Sequence, residues 1–133
     1  MLKFQKILSV ATVIFLSIWI SACGQAAKTN SPVPSHNVSI DQALTDWQNK
    51  SVVILDVRTP GEYADGHIPN TILIPLDQLP ERLNEVPKEK KVYVICRSGN
   101  RSSQAVNLLR SKGFTNVYNV TGGIIHWKGP IEK

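Results

Sequence analysis

The hydrophobic residues of this chain fall into two kinds of segment, short continuous runs and stretches where they recur every three or four positions. Val52, Val53, Ile54, Leu55 and Val57 make a run of the first kind, interrupted only by Asp56, and residues 91–95 make another. Their β-branched content predicts strands buried on both faces. Residues 71–74 and 116–120 predict two further strands. Between the runs, Ile40, Ala43, Leu44 and Trp47 share one face of a helix over about residues 40–48, opened by a capping-box pattern at Ser39 and Gln42. Thr59 as N-cap, Pro60 at the first helical position and Glu62 completing the box predict a short second helix that ends near Gly66. Residues 77–84 predict another short helix, with Pro80 in its first turn. Ala105, Leu108 and Leu109 form the apolar face of a helix over about residues 102–112, closed by Gly113. Gly122-Gly123 reads as a turn and residues 124–128 as a terminal helical turn. Strands alternating with helices predict an α/β fold: an open, mainly parallel sheet of four to five strands with helices on both faces.

A different pattern precedes residue 37. Lys3 and Lys6 make a positive start, and the 14 residues from Ile7 to Ile20 are uncharged and largely apolar. That run is short of the ~20 residues of a membrane span, and it suits the apolar region of an export signal followed by small residues. Ile20-Ser21-Ala22-Cys23 resembles a lipobox, the bacterial lipoprotein signal. The resemblance implies that residues 1–22 are a signal peptide cut before Cys23, that Cys23 carries lipid, and that the protein is anchored at the extracytoplasmic face of a bacterial membrane. Residues 23–36 are small and polar, with Pro32 and Pro34, and read as a flexible tether. Residues 37–133 then suffice for one domain.

Charge narrows the partners. The chain carries a net +5, and loss of residues 1–22 removes two lysines and no acid, leaving +3. So small a balance argues against a nucleic-acid partner, and the run Lys88, Glu89, Lys90, Lys91 reads as a solvated turn. His36, His67 and His126 have no metal-ligand spacing, so neither metal nor cofactor is expected. Gly122-Gly123 lacks the spacing of a phosphate loop.

The candidate chemistry gathers at Cys96, where the strand at 91–95 ends and a helix begins. Such a turn aims backbone N–H groups and the positive end of the helix dipole at whatever occupies it, which favours an anion. Arg97 and Arg101 flank the same turn. Surroundings of this kind lower a thiol pKa from ~8.5 to roughly 3.5–7.5, so Cys96 is expected to be a nucleophilic thiolate. With lipid on Cys23, Cys96 is the remaining thiol of the two cysteines. A Cys23–Cys96 disulfide is the competing expectation, disfavoured because it would tie a tether to a loop that suits a thiolate.

Asp56-Val57-Arg58-Thr59-Pro60-Gly61-Glu62-Tyr63, Gly66-His67-Ile68-Pro69-Asn70-Thr71 and Ile74-Pro75-Leu76 resemble the opening blocks of the rhodanese-like domain. Cys96-Arg97-Ser98-Gly99-Asn100-Arg101-Ser102 resembles its active-site loop, and Gly113-Phe114, Val117, Gly122-Gly123 and Trp127 its closing block. The resemblance implies a sulfurtransferase: Cys96 takes sulfane sulfur from a small donor such as thiosulfate, becomes a persulfide, and passes the sulfur to cyanide or another thiol. It also implies that Arg97, Ser98, Gly99, Asn100, Arg101 and Ser102 bind the substrate, their amides cradling the persulfide, with Arg101 orienting the donor. The six-residue loop from Cys96 to Arg101 is the length associated with sulfur transfer, while related phosphatases carry one residue more. A sulfur carrier without turnover, and a cysteine phosphatase or arsenate reductase, are the alternatives. Asp56 and Arg58 are read as structural neighbours of the site, Asp56 accepting backbone or arginine hydrogen bonds and Arg58 facing Glu62 four residues on. His67 is left out of the catalytic set, because an ionised thiol needs no base.

Overall fold

The computed structural model describes residues 35–133, so the expected signal peptide, the expected lipid site at Cys23 and nearly all of the expected tether lie outside the described residues. Within them the order is β1 (Asn37–Val38), α1 (Ile40–Gln48), β2 (Val53–Asp56), α2 (Pro60–Asp65), β3 (Ile72–Leu73), β4 (Val92–Ile95), α3 (Asn100–Ser111) and β5 (Val117–Val120). Single 3-10 turns at Leu79–Glu81, Leu83–Glu85 and Ile124–His126 complete it. The five strands form one parallel sheet in the order β1-β5-β4-β2-β3.

Strand alternation divides the core between the two faces of the sheet. Leu55, Val57, Val92, Val94 and Val117 pack with Ala105, Val106 and Leu109 of α3. Ile54, Tyr93, Ile95 and Val120 pack with Ala43 of α1 and with Ile68, and Ile40 and Trp47 close over them. All four residues of β4 are buried. Each fully buried aliphatic side chain contributes about 1.5–3 kcal/mol, so the strand that leads into Cys96 is anchored from both sides.

Local signals account for most helix ends. Thr59 Oγ1 accepts from the Glu62 N–H and the Glu62 carboxylate accepts from the Thr59 N–H, a complete capping box. At α3 the Gly113 N–H donates to Arg110 O and the Phe114 N–H to Leu109 O, the paired bonds of a Schellman end. Gly113 takes the positive φ of 91° that this end requires.

The structure corrects three expectations and adds one strand. Ser39 caps α1 by accepting from the Gln42 N–H, but the Gln42 side chain donates to Asp46 instead of returning to Ser39, so only half the box forms. The helix expected over residues 77–84 is a pair of 3-10 turns, with Arg82 N–H donating to Leu79 O and Val86 N–H to Leu83 O. Pro80 supplies no N–H, Arg82 at φ −121° interrupts the spiral, and Leu79 and Val86 are drawn into the α3-side core. α3 starts at Asn100, two residues earlier than expected, because Gly99 adopts φ 104° and turns the chain into the helix at once. β1 had no periodicity to announce it: it exists because Asn119 N–H donates to His36 O at 2.6 Å and Thr121 N–H to Val38 O at 2.9 Å.

The strand order also fixes where a site can form. β2 connects outward to β3 on one side, and β4 connects outward to β5 on the other. Adjacent β2 and β4 therefore send their crossovers in opposite directions, which opens a crevice at their carboxyl ends. Cys96 is the first residue beyond β4.

Candidate active site

Cys96 is 1% exposed, its thiol drawn inward under the loop that follows. The Gly99 N–H donates to Sγ at 3.0 Å, and Ser102 Oγ, in the first turn of α3, lies 3.3 Å from it. Burial pushes the thiol up; the Ser102 hydroxyl and the backbone N–H groups of Ser102, Gly99 and Ser98 outweigh that and bring it below its ordinary value. The thiolate is thus favoured mainly by hydrogen-bond donors of its own loop.

A second segment braces that loop from outside. Ile124 N–H donates to Cys96 O at 2.9 Å and Ile125 N–H to Arg97 O at 3.3 Å. This approach depends on Gly123, where a Cβ would stand 2.2 Å from Arg97 O and 2.5 Å from Ser98 N. The sequence marked Gly122-Gly123 as a turn; the close approach of the two backbones is what the turn is for.

The loop side chains divide into two groups. Arg97, Ser98 and Asn100 are exposed, and among the described residues Arg97 has no ion-pair partner. Arg101, expected to orient the donor, instead binds Glu62 of α2 through both terminal nitrogens, at 2.8 and 2.7 Å. That fork, with the Thr59 bonds, holds the Glu62 carboxyl down to about 2 from its usual 4.5, and Arg101 is raised in return. The guanidinium still carries its charge beside Cys96, but its donors face α2. Beyond it Val57, Thr59, Pro75, Leu76, Asp77 and Arg101 line a mostly apolar cleft of about 300 Å³.

Asp56 and Arg58 form a buried ion pair at 2.7 Å, in which Arg58 Nε and Nη2 both reach the carboxylate. Arg58 does not pair with the Glu62 carboxylate as its four-residue spacing suggested. It donates to the carbonyls of Glu62 and Gly66 and so ties the middle and the C-cap of α2 to the end of β2. His67 lies away from this cluster, its Nδ1 2.8 Å from Tyr63 O and its Nε2 3.3 Å from Glu132. Among the described residues no three His, Cys, Asp or Glu side chains converge on a metal position, and no helix is long and apolar enough to cross a membrane. A larger groove of about 710 Å³, bordered by Lys50, Lys90 and Lys91, sits at the opposite ends of the strands from Cys96.

Two participants were not found from the sequence. The spacing of Glu62 points to Arg58, whereas the partner that holds its carboxylate is 39 residues away. Asn119 is a polar side chain at a core-facing parity in a strand run, the one signal the sequence offers for it, and it takes a hydrogen bond from Ser102 at 2.5 Å.

Known proteins are similar to this chain in sequence and in fold. The rhodanese-like domain family matches residues 39–130. A sulfurtransferase of Allochromatium vinosum is 43% identical over 89 residues, covering 67% of this chain and 81% of that protein. The thiosulfate sulfurtransferase GlpE of Tolumonas auensis is 34% identical over 91 residues, 68% of this chain and 86% of that one. The crystal structure of a rhodanese-like domain protein from Staphylococcus aureus superposes with a TM-score of 0.67 at 37% identity, over 72% of this chain and 95% of that one.

Proposed function

Because this chain belongs to the rhodanese-like family, we propose that it is a sulfurtransferase in which Cys96 takes sulfane sulfur from a donor such as thiosulfate and hands it to a thiophilic acceptor. The observation that carries this reading is the thiol itself, made more acidic despite its burial by donors of Ser102 in the first turn of α3 and of Gly99 and Ser98 in the loop, at the crevice between β2 and β4. In the first half-reaction the Cys96 thiolate attacks the outer sulfur of thiosulfate. The new S–S bond forms as the old one breaks, and sulfite leaves with the bonding pair. In the second, cyanide or a thiolate attacks the outer sulfur of the persulfide, and Cys96 departs as thiolate. The reaction as written needs no cofactor.

The residues divide the work by position. The Gly99 N–H and the neighbouring amides of Ser98 and Ser102 stabilise negative charge on sulfur in both half-reactions. Arg97, exposed at the mouth, draws an anionic donor. Arg101 keeps the first turn of α3 in register with α2 through Glu62. The proposed protein acts at the extracytoplasmic face of a bacterial membrane, held by lipid on Cys23; the charged start, apolar run and small residues before Cys23 support this.

Steady-state turnover of thiosulfate and cyanide tests the reading. The expected result is activity in the full chain, loss of it in Cys96→Ser, and one added sulfur atom on Cys96 by intact mass after thiosulfate alone. Persulfide without turnover assigns sulfur carriage instead, and phosphate-ester hydrolysis dependent on Cys96 overturns the reading of the loop. For the anchor, a mature N-terminus at Cys23 with acyl mass is expected; an unmodified, released protein contradicts it.

A further inference from the structure

Asn119 is a polar residue where the packing calls for an apolar one. Val117, two residues before it on β5, belongs to the α3-side core, and strand alternation puts Asn119 on the same buried face. Burying an amide is costly unless both its ends find partners. Here Oδ1 accepts from Ser102 Oγ at 2.5 Å, and Nδ2 donates to Asn37 Oδ1 at 2.9 Å. Asn37 stands opposite Asn119 in the β1–β5 register, at the exposed edge of the sheet. Ser102 Oγ in turn lies 3.3 Å from Cys96 Sγ. Four side chains from four separate segments thus form one line from the reactive sulfur to the sheet edge.

A serine hydroxyl has a single proton, and two acceptors compete for this one. Pointed at Asn119 Oδ1, it leaves only a lone pair for Cys96, which suits a neutral thiol donating its S–H. Pointed at Sγ, it supports the thiolate. The Asn119 amide decides between these states, because with Nδ2 turned toward Ser102 the hydroxyl keeps sulfur as its acceptor. Asn37 decides the amide, by taking Nδ2 for itself. We propose that Asn119 is a positioning residue for Cys96: held by Asn37, its amide oxygen draws the Ser102 proton away from Sγ and so limits how far that hydroxyl supports the thiolate. The proposal deepens the reading of Cys96 as the nucleophile, and it places a control on that nucleophile at a sheet edge far from it in sequence.

The test reads Cys96 ionisation in the full chain, by the pH dependence of its alkylation with iodoacetamide, with Cys96→Ser as blank. Asn119→Leu keeps the branched shape of the side chain and removes the competing acceptor, so the thiol pKa falls, by at most about 1 to 2, the full worth of one hydrogen bond to a charged group. In a Ser102→Ala background the same substitution leaves the thiol where Ser102→Ala alone put it. Asn37→Ala, at an exposed edge, frees the amide to turn and moves the thiol in the same direction by less. A thiol unmoved by Asn119→Leu, or moved equally with and without Ser102, overturns the proposal. If Asn119→Leu fails to fold, Asn37→Ala decides alone, and an unmoved thiol there overturns it. Because the readout is ionisation and not turnover, a protein that transfers no sulfur still answers this question.

Discussion

Gly123→Ala isolates the contact between the loop of Cys96 and the segment that braces it. The substitution places a Cβ 2.2 Å from Arg97 O, 2.4 Å from Arg97 C and 2.5 Å from Ser98 N. Ordinary contact begins near 3.4 Å, so the two backbones must part by about 1 Å. All three atoms are backbone, and no side-chain rotation relieves them. Gly123 also sits at φ 67° and ψ −172°, a region essentially restricted to glycine that costs another residue about 1–3 kcal/mol. Arg97 and Ser98 directly follow Cys96, so the displacement falls on the loop that carries the Gly99 N–H to Sγ. A misplacement of about 1 Å costs on the order of 100-fold in rate. Gly113→Ala supplies the control, since Gly113 also has a positive φ, 91°, but its added Cβ meets nothing within 4 Å. The assay compares thermal midpoint, Cys96 alkylation rate and thiosulfate–cyanide turnover. Gly113→Ala is expected to cost about 1–2 kcal/mol, several degrees in midpoint for a domain of this size, with alkylation and turnover retained. Gly123→Ala is expected to stay folded and lose about two orders of magnitude in turnover. Wild-type alkylation and turnover in folded Gly123→Ala would refute the reasoning, as would an equal loss in Gly113→Ala.

Two further outcomes follow from the ion pairs. Asp56→Ala strands the buried guanidinium of Arg58, 5% exposed, and should cost about 3–5 kcal/mol by chemical denaturation; a loss under about 1 kcal/mol means the pair is already solvated. Glu62 is held at about 2 in the folded protein against its usual 4.5, so its pairing stabilises the fold above about pH 4.5 and that contribution is lost as pH falls through about 2. With both partners near one-third exposed, solvent screening limits the effect to about 1 kcal/mol. Glu62→Gln should flatten the stability curve across that interval, and wild-type and variant curves that run parallel there contradict the assignment.

Sequence by itself determined most of the elements and the position of the thiol. Continuous β-branched runs gave β2 and β4, caps and periodicity gave α1 and α2, and a cysteine at a strand-to-helix turn gave the nucleophile, because each of these signals is complete within a few consecutive residues. Tertiary structure decided who partners whom. Arg58 sits four residues from Glu62 yet binds the carboxylate of Asp56, and the carboxylate of Glu62 binds Arg101, 39 residues on. β1 is two residues long and owes its existence to β5. The line from Cys96 through Ser102 and Asn119 to Asn37 joins positions up to 82 residues apart in a single hydrogen bond. The physical reason is the same in each case: caps and periodicity are local, whereas a buried polar group is satisfied by whichever segment packing brings within hydrogen-bond reach.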